Sequence, residues 1–149
     1  MAEAIGIVSG LATLVSSALA STIALYETIQ SFKRKEKDLR NLRDEVKNLG
    51  GVLRVLQEAI RDGSGDIGLQ ILEKPLVRCC KHCKEYNDLL KKCTERSTEY
   101  RTSIRDWVKL RYMGGDIVGF KNMLEGYKST INIALAGANL CVQFTTQSL

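Results

Sequence analysis

Cys79, Cys80, His82, Cys83 and Cys93 lie close together in the chain, and all are residue types that bind metals or act as nucleophiles. Cys80 and Cys83 form a CxxC pair. A structural zinc needs four such ligands converging tetrahedrally, normally from two such pairs. A second CxxC is missing, and His82 is the only histidine. Cys79, Cys83 and Cys93 instead share a helical seam with Leu76, Tyr86 and Leu90, where a thiol serves as a small buried hydrophobe. No metal and no cofactor is expected. The single imidazole supports no acyl-transfer arrangement that needs more than one. "DGSGDIG", residues 62–68, lacks the lysine and hydroxyl that complete a phosphate-binding loop. Carboxylates occur singly among lysines and arginines, as on a solvated surface. The expectation is a protein that is not an enzyme.

The elements that position these residues are helices. From about Ala4 to Gln30 the chain carries two stripes. Gly6, Gly10, Thr13, Ser17, Ala20 and Ala24 form a face of small residues, and Ile7, Leu11, Leu14, Ala18, Leu25 and Phe32 a bulkier one. Leu39, Leu42, Val46, Leu49, Leu53, Leu56 and Ile60 alternate steps of three and four, which predicts a second helix packed along its length. Gly50–Gly51 weakens it by about 1 kcal/mol per glycine and is a place for a bend. "RDGSGD", residues 61–66, is a loop. Leu69, Leu72, Leu76, Cys79, Cys83, Tyr86, Leu90 and Cys93 continue the rhythm. Pro75 suggests a short turn over 67–73 and a helix from 75, running past Cys93 toward Trp107, Val108 and Tyr112. After "GGD" at 114–116, Asp116 is a candidate N-cap for a last helix on Ile117, Phe120, Leu124, Tyr127, Ile131, Ala134, Ala138 and Cys141. The fold class expected is all-α: an antiparallel bundle of four to five helices in one domain, residues 1–149. The nearly uncharged first helix should pack in its core.

Charge is uneven. Residues 33–47 hold seven Lys/Arg against four Asp/Glu, and residues 74–112 eleven against five, within a net charge of +5. Such runs suit a solvated face, or attraction to an anionic membrane or to nucleic acid. No recognition-helix, RNP-like or finger motif accompanies them, so nucleic acid is not an expected partner. Five cysteines, an odd number, and an N-terminus with Glu3 and no Lys or Arg point to no secretory leader and to free thiols in a reducing compartment.

"MAEAIGIVSGLATL" resembles the opening of the fungal HeLo-like domains, N-terminal domains of STAND (NLR-type) receptors and of related cell-death proteins. The pattern rests on Met1, Ala2, Glu3, Ile5, Gly6, Ser9 and Gly10, with Ala4 standing where many of that family have proline. "FKNMLEGYKSTINIAL", residues 120–135, resembles the family's closing helix through Tyr127, Lys128, Ser129, Thr130, Ala134 and Leu135. The resemblance covers essentially the whole chain. It implies a helical-bundle domain of programmed cell death and nonself response. Such a domain is activated by a receptor or amyloid-forming segment and attacks membranes through its N-terminal helix.

The 23 uncharged residues between Glu3 and Glu27 would reach about 35 Å as a helix, enough for the hydrocarbon core. Ser9, Thr13, Ser16, Ser17, Ser21 and Thr22 make them a mediocre permanent span. The expectation is a dual-use helix, buried at rest and released on oligomerisation. With the resemblance, Ile5, Ile7, Val8, Leu11, Leu14, Val15 and Leu19 become candidates for membrane insertion, Gly6 and Gly10 for close packing, and Lys33, Arg34 and Lys35 for lipid headgroups. The expected partners are further copies of the chain, anionic lipids, and a STAND (NLR-type) or amyloid-signalling protein. The expected location is cytoplasmic at rest and the plasma membrane when active. The competing reading is a non-lytic interaction module that only self-associates.

Overall fold

The structure, a computed structural model, describes residues 2–32, 37–63, 68–94 and 117–147, with side chains over 10–32, 37–63, 68–92 and 117–138. Four long helices account for nearly all of it. They are α1 (Ala2–Gln30), α2 (Lys37–Arg61), α3 (Glu73–Thr94) and α4 (Ile117–Gln147), with a 3-10 turn, Leu69–Leu72, leading directly into α3. Among the described residues there is no strand. The expected all-α bundle is what forms. The expected continuation of the third helix to Tyr112, the Asp116 cap and the basic residues Lys33, Arg34 and Lys35 lie outside the described residues.

Each helix follows from its own pattern. All seven apolar positions of the α2 seam, Leu39 to Ile60, are buried. The helix runs unbroken through Gly50–Gly51. Gly50 is itself buried, and a Cβ there would meet Thr22 Cγ2 at 3.6 Å, an ordinary contact. Pro75 falls in the first turn of α3, where a missing N–H costs no helical hydrogen bond. The helix therefore starts two residues before Pro75, not at it. At the end of α2, Gly63 takes φ +70°, the left-handed conformation that closes a helix and that glycine adopts without strain.

α1 packs against α2 and α3, and α2 packs on its other side against α4. Ser16 meets Gln57 and Thr22 approaches Gly50, so α1 and α2 are antiparallel. Tyr86 stacks on Phe120 with ring centroids 4.0 Å apart, and His82 lies against Tyr127 at 6.4 Å, so α3 and α4 are antiparallel as well. The 3-10 turn closes the bundle against α4. Leu25, Leu42, Leu53, Leu76, Leu90, Leu124 and Ile131 meet in one continuous core.

One charge enters that core. The Glu45 side chain on α2 is buried, and Lys128 Nζ of α4 stands 3.0 Å from its Oε1. The ammonium lies off the line of an aligned hydrogen bond, so the contact is chiefly Coulombic. Lys128 is more open to water than Glu45, which weakens the attraction but lets the lysine keep part of its hydration.

Two outcomes test this packing. Leu53→Asp should abolish the cooperative thermal melt, since an uncompensated buried charge costs several kcal/mol against a total of about 5–15. Val55→Asp, two residues away and exposed, should leave the melt nearly unchanged. Lys128→Ala should cost about 1–3 kcal/mol by stranding the Glu45 carboxylate, and Glu45→Leu with Lys128→Met should recover most of that loss in urea titrations.

Candidate functional site

α1 is about 43 Å long for its 29 residues. Over Gly10–Gln30 it is long and apolar enough to cross a membrane, yet only 39% of an 18-residue apolar window within that span is buried. The buried side carries Leu11, Val15, Ala18, Leu25 and Ile29. The opposite side exposes Gly10, Thr13, Ser16, Ala20 and, at 39%, Ile23. Of the small-residue stripe, Gly10, Thr13 and Ala20 therefore face outward, and Ser17 and Ala24 are half-buried. Among the described residues, nothing outside the helix's own backbone lies within 4 Å of where a Gly10 Cβ would stand, so no second element packs closely there. An exposed helix face ordinarily carries charge, and α1 carries none between Glu3 and Glu27.

The sequence-predicted residues separate accordingly. Leu11 and Val15 are core residues, and Leu14 and Leu19 are half-buried against the core. Ile5, Gly6, Ile7 and Val8 lie on helical backbone in the first turns of α1, with side chains outside the described residues. Of the candidates with described side chains, only Gly10 sits on the open face.

Three hydroxyls of α1 have an internal solution. Ser21 Oγ donates to the Ser17 carbonyl at 2.9 Å, Thr22 Oγ1 to that of Ala18 at 2.7 Å, and Thr28 Oγ1 to that of Ala24 at 3.0 Å. Each is a bond one turn back along the same helix, so these donors stay satisfied whatever surrounds α1. The sequence marks these residues as polar; their self-satisfaction appears only when rotamers are fixed.

The thiols lie where α3 meets α1. Cys79 and Cys83 are buried, Cys80 is half-buried, and Cys80 Sγ is 3.4 Å from Ser21 Oγ. A hydrogen bond with Cys83, followed by burial, pushes the Cys79 thiol far above its ordinary range. Cys83 accepts from Cys79, which lowers its thiol against the opposing effect of burial. Burial, and then the nearby Cys79 and Cys83, also raise the Tyr127 phenol. Among the described residues no three His, Cys, Asp or Glu side chains converge to hold a metal. The arrangement is a packed seam of small polar and sulfur groups.

Maleimide labelling read peptide by peptide checks the seam. Cys79 and Cys83 should stay unmodified in the folded chain and react fully in denaturant. Cys80→Ser should shift stability by less than about 1 kcal/mol. Metal analysis that finds one zinc per chain, lost with Cys80→Ser, would contradict the packed-thiol account.

No curated protein and no solved structure matches the chain. One family does match: the model described as "Pigment biosynthesis cluster protein PigL N-terminal" aligns with residues 2–149 and so spans all four helices. The chain belongs to the PigL N-terminal family.

Proposed function

We propose that this domain is a HeLo-like signalling bundle. It is non-enzymatic and cytoplasmic at rest. It self-associates when a receptor or amyloid-type partner gathers copies together, and it then engages the plasma membrane through α1. The observation that carries this reading is the open, uncharged face of α1, on a helix whose Ser21, Thr22 and Thr28 hydroxyls are already bonded to its own backbone. Moving such a helix into lipid leaves none of these three donors unsatisfied. Its buried side supplies the apolar area that lipid would receive, through Leu11, Val15, Leu25 and Ile29. Small residues at Gly10, Thr13 and Ala20 suit close helix–helix packing between copies. Lys33, Arg34 and Lys35 follow the C-terminal end of α1, where they would meet headgroups on the side from which the helix enters.

The same small residues also favour a second reading. The face can serve a non-lytic module that docks copies of the chain without entering lipid. The two differ in what a charge at mid-helix does.

Ala20 is exposed, so Ala20→Lys leaves the fold intact. At a bilayer centre that lysine costs about 2.5–3.5 kcal/mol per chain. With the domain fused to an inducible oligomerisation tag, dye release from anionic vesicles should occur for the parent and for Ile133→Lys, an exposed site on α4. It should be lost for Ala20→Lys, with an unchanged melt. Neutralising Lys33, Arg34 and Lys35 should weaken vesicle binding by about 1 kcal/mol per charge, and high salt should do the same. No leakage from any oligomerised form, with self-association retained, would select the interaction module.

A further inference from the structure

Between the open side of α1 and α2 lies a groove of about 280 Å³, lined by Thr22, Ile23, Tyr26 and Glu27 on one wall and Val46, Lys47, Gly50 and Arg54 on the other. Its size is near the low end of the roughly 300–1,000 Å³ typical of small-molecule sites, room for a polar headgroup rather than for acyl chains. Gly50 contributes no side chain to the floor, and Ile23 stands 39% exposed at the lip.

The charges at this groove are arranged for a ligand. Glu27, Lys47 and Arg54 are all exposed, and none forms an ion pair among the described residues. The two helices are antiparallel, so Glu27 is nearly level with Lys47, and Arg54 stands two turns further along α2, about 10.5 Å away. Two long cationic side chains can converge on one phosphate between them, while the single carboxylate at one end calls for a donor. Ile23, Tyr26 and Val46 supply an apolar wall beside these charges.

We propose that this groove binds the headgroup of an aminophospholipid. The phosphate sits between Lys47 and Arg54, and the primary ammonium bonds the Glu27 carboxylate. Phosphoserine, with two negative groups and one positive, is the full complement of two cations and one carboxylate. The proposal deepens the membrane reading above and rests on it. It assigns a distinct step. A ligand that bridges α1 and α2 binds only while they are docked, so the headgroup holds the resting bundle at the membrane before α1 leaves the seam.

The test uses water-soluble headgroups with the folded domain, so leakage plays no part in it. Glycerophosphoserine should shift the amide resonances of residues 22–27 and 46–54, and raise the melting temperature. It should bind more tightly than glycerophosphoethanolamine, and glycerophosphoglycerol, which has no ammonium, should be weaker than both. Glu27→Gln should erase the preference for an ammonium while the glycerophosphoglycerol signal remains. Lys47→Gln with Arg54→Gln should weaken every headgroup about tenfold or more, one charge-assisted contact being worth that much. These side chains are exposed, so unchanged melts of the ligand-free variants keep the comparison valid. Equal binding of glycerophosphoserine and glycerophosphoglycerol, or silent groove resonances, overturns the proposal. Shifts that follow dilution of the chain alone would place a second copy in the groove and also overturn it. A chain that binds the headgroup yet never permeabilises vesicles refutes the lytic reading and leaves this site standing.

Discussion

A helix with no charge between Glu3 and Glu27 has no side that water strongly prefers, and α1 buries only one of its sides. The bundle is arranged around that imbalance. α2 and α3 receive the bulky face of α1 and cover Val15, Ala18, Leu25 and Ile29 completely. α4 closes the far side through α2 and the 3-10 turn rather than through α1. Full burial of a Leu or Ile side chain contributes about 1.5–3 kcal/mol relative to exposure, so docking of α1 stabilises the domain strongly. The same apolar area is what a bilayer would accept in exchange.

The seam that holds α1 also decides how it can part. No ion pair joins α1 to α2 or α3 among the described residues. Its polar partners across the seam are weak: a hydroxyl–thiol contact between Ser21 and Cys80, and a 3.3 Å bond from Gln57 to Ser16 at the surface. The stronger hydroxyl bonds run within α1 and travel with it. Separation would therefore cost apolar burial and packing, with few hydrogen bonds to break. The α2–α4 side is different, since Glu45 and Lys128 tie those helices by charge. Among the described residues the bundle thus has one side bound chiefly by dispersion and hydrophobic contact, and another that adds an ion pair.

Much of the architecture was legible from spacing. The α2 seam from Leu39 to Ile60, the α3 seam from Leu69 to Leu90 and the α4 positions Ile117, Phe120, Leu124, Ile131, Ala134 and Ala138 are all buried as their periodicity predicts. Periodicity tells which residues share a face; it does not tell which of two apolar faces turns inward. On α1 both stripes lack charge, and the bulkier one won because larger side chains gain more on burial. The Cys79 and Cys83 thiols were readable as core residues from their neighbours on the seam. The α1–α2 groove was not, because it arises from residues about two dozen positions apart brought level by an antiparallel crossing. Glu45 looked like one more surface carboxylate, since its partner Lys128 lies on a helix far along the chain.

The central claim is that α1 is docked through its bulky face at rest and enters lipid, that bulky face included, when copies are gathered on a membrane. An environment-sensitive fluorophore at position 20 measures this most directly, because Ala20 is exposed and the probe leaves the core untouched. The emission should be that of a water-exposed group in the soluble domain. On vesicles it should shift to the blue upon induced oligomerisation and become quenchable from within the bilayer, and a probe at position 133 should stay in water. Emission at position 20 that remains water-like while the gathered domain releases dye would contradict the account.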